Sequence, residues 1–132
     1  MYYKEVNSKE DLLEYFEKES NTFWLLETEI VFNIDFDFNN SSIHAAILAF
    51  SDKKLSNLNE VSAIFIDGDK IEAKRIDCDK IEVNRIKATE KLGAKYIFAT
   101  SVYAQEIECD KIECEKLSCK RIDSYEEIKV GF

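Results

Sequence analysis

Aliphatic residues spaced five apart constrain this chain more than any other feature. They stand at Ile66, Ile71, Ile76, Ile81 and Ile86, and after one inserted residue at Leu92, Ile97, Val102, Ile107, Ile112, Leu117 and Ile122. Two places after each comes a small residue: Gly68, Ala73, Cys78, Val83, Ala88, Ala94, Ala99, Ala104, Cys109, Cys114, Cys119 and Ser124. An α-helix advances about 100° per residue, so a period of five would smear the aliphatics around its cylinder. An uninterrupted strand would need strict alternation, which this pattern breaks in every unit. A three-residue strand with two inward side chains, followed by a two-residue corner, satisfies both facts. The expected fold is therefore mainly β: a short β-solenoid over residues 64–132, preceded by a helix-and-strand capping region over residues 1–63. Four five-residue sides would close a square coil of about twenty residues, and coils would stack at about 4.8 Å, giving about three coils.

The units Ile107-Glu-Cys-Asp-Lys, Ile112-Glu-Cys-Glu-Lys and Leu117-Ser-Cys-Lys-Arg resemble the pentapeptide-repeat family of right-handed quadrilateral β-helices. The resemblance covers close to half the chain. Its register differs, because that family places a small residue two positions before its large one and here the large residue comes first. A weaker likeness is to the polymer-forming β-helices of the bactofilin type.

The outward positions are ordered too. The residue after each aliphatic is mostly acidic (Asp67, Glu72, Asp77, Glu82, Glu108, Glu113, Asp123) and the residue before the next mostly basic (Lys70, Arg75, Lys80, Arg85, Lys111, Lys116, Arg121). These columns read as a solvated surface with weak ion pairs. One window breaks them: from Tyr96 to Gln105 there is no charge, and Tyr96, Phe98 and Tyr103 take positions that elsewhere hold charged residues. Outward aromatics there imply either a contact surface or a patch covered by the amino-terminal segment. The four cysteines, Cys78, Cys109, Cys114 and Cys119, fall on small core positions and their spacing fits no zinc motif, so packing explains them.

Before the repeat, Ser8-Lys-Glu-Asp11 reads as a capping box opening an α-helix that ends near Ser20. Phe23 to Leu26 reads as buried, and Ile30, Phe32, Ile34, Phe36 and Phe38 as one face of a strand. Asn39 to Ser42 is a turn, Ile43 to Phe50 is ambiguous, and Ser51 to Glu60 reads as a loop. The acidity lies mostly in this half. Residues 1–65 hold 12 acids and 5 bases, whereas residues 66–123 hold 13 acids and 12 bases, within a net charge of −9. Such a balance disfavours direct contact with nucleic acid, which needs Lys and Arg. It allows an acidic surface built from Glu10, Asp11, Glu14, Glu17, Asp35 and Asp37 to dock on a basic protein.

Chemistry is sparse. The single histidine, His44, sits in an apolar run, and no phosphate loop, nucleophile elbow or metal motif appears. The expectation is a non-enzymatic protein without cofactor or bound metal. It is expected to be cytoplasmic, with no membrane segment or secretory leader, and to form a homodimer through Ile128, Val130 and Phe132. The favoured partner is a nucleic-acid enzyme inhibited by acidic mimicry, as the family resemblance implies: a topoisomerase, or a phage-defence or CRISPR nuclease. The alternative is a self-assembling scaffold.

Overall fold

The aliphatic columns do stack, but each coil of the repeat closes in about fifteen residues rather than twenty. In a computed structural model that describes residues 1–131, side chains fifteen apart meet across adjacent coils, as Arg75 does with Glu90 and Asn84 with Asp69. Fifteen residues are three five-residue sides, so the section is a triangle and the square coil is corrected. A period of five specifies the length of a side and leaves the number of sides open. Interior volume selects it: one aliphatic and one Ala or Cys per side fill a triangular section, whereas a fourth side would open a void.

The chain runs through β1 (Tyr2–Val6), a 3-10 helix (Lys9–Tyr15), β2 (Phe16–Glu17), β3 (Thr22–Phe32), β4 (Phe36–Asp37), β5 (Ser42–Ser62), β6 (Phe65–Cys114), β7 (Lys116–Ser118) and β8 (Arg121–Val130). Extended backbone passes through the corners, which is why β6 is so long. All pairings between these strands are parallel except the short β2–β3 hairpin. The result is a β-solenoid of about six turns, not three.

Three walls follow from the register. The first stacks Ile30 on Leu48 and Leu48 on Ile66, and ends with Ile112 on Ile128. The second stacks Phe36 on Leu55 and Leu55 on Ile71, and ends with Val102 on Leu117. The third stacks Phe23 on Ile43 and Val61 on Ile76, and ends with Ile107 on Ile122.

The amino-terminal half thus contributes coils of its own. Ile43 to Phe50 and the segment expected as a loop, Ser51 to Glu60, both belong to β5. Polar residues in that segment face out while Leu55 and Leu58 point into the core. Its coils are wider, so phenylalanine fills them: Phe23, Phe32, Phe36 and Phe38 are buried with ring centroids 4.6–6.4 Å apart. The expected single strand from Ile30 to Phe38 breaks into β3 and β4 because a corner must fall between them. Asparagines serve the neighbouring corners. Asn21, Asn40 and Asn57 all adopt positive φ, a conformation their short amide side chains tolerate. They are tied together: Asn21 Nδ2 donates to the Asn40 carbonyl (3.0 Å), and the Asn40 N–H to the Asn57 carbonyl (2.7 Å).

The expected α-helix is instead a seven-residue 3-10 helix that stops at Tyr15. Phe16 leaves it to pair with Phe23, ring centroids 4.9 Å apart, and the hairpin takes over. Phe23 and Leu25 are buried as expected, but Trp24 and Leu26 face outward, since alternation along β3 leaves every second residue on the surface.

Candidate functional site

The six acids proposed for recognition fall into two kinds. Glu10, Glu14 and Glu17 are exposed and project from the 3-10 helix and β2. Asp11, Asp35 and Asp37 are tied to backbone. The Asp11 carboxylate accepts the N–H groups of Asn7 (2.7 Å) and Ser8 (3.0 Å), which hold its charge form well below the ordinary carboxylate range. Asp35 accepts the Lys54 N–H at 2.9 Å. Asp37 accepts the Asn39 N–H (2.9 Å) and Asn57 Nδ2 (3.0 Å), and the first of these is the main cause of its lowered pKa. Asp11 therefore caps the 3-10 helix, and Asp35 and Asp37 hold corners, tasks that account for them without a partner.

The aromatic window does not form one patch. Tyr96 and Phe98 flank Ile97 on the first wall, while Tyr103 follows Val102 on the second. Tyr96 is 39% and Tyr103 41% exposed, so the amino-terminal segment does not cover them. Phe98 is half-buried. The Lys80 ammonium lies 5.8 Å from its ring centroid and 5.6 Å from that of Phe65, a cation–π clamp between coils.

The two ends of the solenoid differ most. At the amino-terminal end Val6 and Leu12 are both 0% exposed and join the core, so β1 and the 3-10 helix close the first coils. At the other end, residues 116–130 make the last coil. Val102, Ile107 and Ile112 one coil below are at most 2% exposed. Of their successors, Leu117 and Ile122 are only partly covered, as is Cys119 beside them, and Ile128 is 49% exposed, with Val130 at 44%. Among the described residues, no strand pairs with the outer edge of β7 or β8. Ile128 and Val130 thus lie where the proposed contact needs them, stacked on Ile112 and Cys114; Phe132 lies outside the described residues. Leu117, Cys119 and Ile122 were not singled out as surface residues by the sequence reading. Their signal was present: each is the last member of its column among the described residues.

The cysteines are thiols on the inner columns. Burial first, then Asp77 and Asp79, pushes the Cys78 thiol up to about 12, and burial also raises Cys109 and Cys114. His44 is half-buried against Trp24, centroids 5.2 Å apart, and Trp24 Nε1 donates to Ser20 Oγ at 3.1 Å. Among the described residues no three His, Cys, Asp or Glu side chains are placed to hold a metal ion, and no helix is long and apolar enough to cross a membrane. A search for similar proteins found no matching family model, no matching curated protein and no matching solved structure.

Proposed function

We propose that the protein is a non-enzymatic interaction module whose open carboxy-terminal coil is its contact surface, and that the first partner of that surface is a second copy of the chain. One observation carries this reading: the last triangle of aliphatics is only partly covered, while Val6 and Leu12 at the first coils are fully buried. An unpaired row of parallel-strand N–H and C=O groups beside exposed Ile128 and Val130 is a template for strand addition. Two such ends meeting about a two-fold axis would satisfy each other. A scaffold that polymerises end to end would also use the outer edge of β1, which pairs with no further strand among the described residues. Sedimentation of the wild type and of an Ile128→Lys/Val130→Lys double variant tests the dimer. The expected result is a dimer at micromolar concentration and a folded monomer for the variant; a monomeric wild type would refute the reading.

A second reading is favoured by Glu10, Glu14 and Glu17, which are exposed at the closed end. In a dimer joined at the open coils, these acids stand at the two far tips and are free to enter the basic cleft of a nucleic-acid enzyme. The resemblance to the pentapeptide-repeat family, in which some members restrain topoisomerases, motivates this reading. A coil of fifteen residues departs from that family's square coil, and the support is therefore the acidic surface itself. Reversing Glu10, Glu14 and Glu17 to Lys should abolish inhibition of such an enzyme, whereas unchanged potency would exclude that face.

A further inference from the structure

The second wall gathers bases in register. Lys54 and Lys70 are register partners in adjacent coils. Arg85 follows fifteen residues after Lys70, and Lys87 stands two places further along the same strand. These four cations, with Ser101 and Tyr103, line one shallow depression of about 260 Å³ whose only acid is Glu72. Some bases elsewhere are set against acids: Arg75 on Glu90 (3.3 Å), Lys91 on Glu108 (3.4 Å) and Arg121 on Glu106 (3.7 Å). None of Lys54, Lys70, Arg85 and Lys87 forms an ion pair among the described residues.

Like charges stacked in register repel one another, and at a coil spacing of about 4.8 Å that cost recurs with each step. A chain with nine more acids than bases had acids available to interleave. At the end of the stripe, Tyr103 is 41% exposed, and Gln105 Nε2 donates to its hydroxyl at 3.0 Å, which holds the ring in place. Cations that track a phosphate chain beside a fixed aromatic face are the two elements of nucleotide recognition: charge-assisted hydrogen bonds to oxyanions, and a platform on which a base stacks.

We infer that this wall binds a nucleotide, its phosphates on Lys54, Lys70, Arg85 and Lys87 and its base on Tyr103. The site is separate from the open end and operates whether or not that end holds a second copy. The excess of acid elsewhere weakens the attraction and makes it depend steeply on salt.

Full-length protein is titrated by calorimetry with ATP, a short oligothymidylate and inorganic tripolyphosphate, at low and high salt. The expected result is nucleotide binding that weakens about tenfold or more as salt is raised, and by a similar factor in a Lys70→Glu/Arg85→Glu double variant. An Arg75→Glu variant, altered at another corner, should bind as the wild type does, and circular dichroism confirms that each variant is folded. Tyr103→Ala should weaken ATP about tenfold by loss of stacking and leave tripolyphosphate unchanged. Preference for ATP assigns the source as a free nucleotide; preference for oligothymidylate assigns it as a single strand. The inference is overturned if the wild type binds neither nucleotide, if Lys70→Glu/Arg85→Glu binds as tightly, or if tripolyphosphate equals ATP with Tyr103→Ala silent.

Discussion

Gly68 shows what a single position in a stacked coil must satisfy. It holds a small place in the repeat, and its register partner one coil away is the fully buried Phe50. A Cβ built on Gly68 would run into the Phe50 ring. The Gly68→Ala variant is expected to lose about 1–3 kcal/mol through overpacking, read as a lower urea midpoint, and Phe50→Leu in the same chain should recover part of it. An unchanged midpoint would mean that the ring has room to move. The smallness of position 68 was legible in the repeat, but the reason for glycine rather than alanine was not, because Phe50 lies outside the repeat and eighteen residues away in register. The cysteines follow the same logic of size. With Cys78, Cys109 and Cys114 buried and Cys119 partly exposed, a thiol reagent at mildly alkaline pH should label one cysteine in the native protein and four after denaturation. Rapid labelling of Cys78 would contradict a thiol raised to about 12.

At the scale of the element, the cap of the 3-10 helix and a corner of the wide coils depend on ionised aspartates. Asp11 and Asp37 have folded-state pKa values below the ordinary carboxylate value, the Asn7 and Asn39 N–H groups being the main causes. Their contribution is complete above the unfolded-state value of about 3.9 and is lost as pH falls through the lower, folded values. Thermal stability should therefore drop below about pH 4, and Asp37→Asn should flatten that drop while lowering stability at neutral pH. A variant whose stability follows pH as the wild type's does would remove Asp37 from this role. The element that sequence reading described least well is the amino-terminal helix. Ser8 and Asp11 did mark its start, but its end depended on Phe16 turning away to meet Phe23, a contact made only in the hairpin. The alternation of Phe32, Phe36 and Phe38 was likewise visible, whereas the corner that splits their strand was not, since no glycine or proline marks it. Trp24 and Leu26 were read as buried because they are apolar; the period-two geometry of β3 put them outside.

For the whole molecule, the solenoid was legible because a five-residue period excludes helix and plain strand together. The number of sides was not legible: it depends on how three aliphatics meet in section, which needs the third dimension. The number of coils followed from that error and from counting coils only in the five-residue units. Of the candidate surfaces, Ile128 and Val130 stood out in the sequence as an apolar tail. What the fold adds is the contrast between one closed end and one open end, and that contrast carries the functional proposal. The measurement that bears on it most directly is amide hydrogen exchange in residues 116–130 as a function of protein concentration. Strand pairing between two open ends predicts fast exchange at high dilution and marked protection at concentrations where the dimer forms, with the amino-terminal coils unaffected. Equal, fast exchange in those residues at every concentration would contradict it.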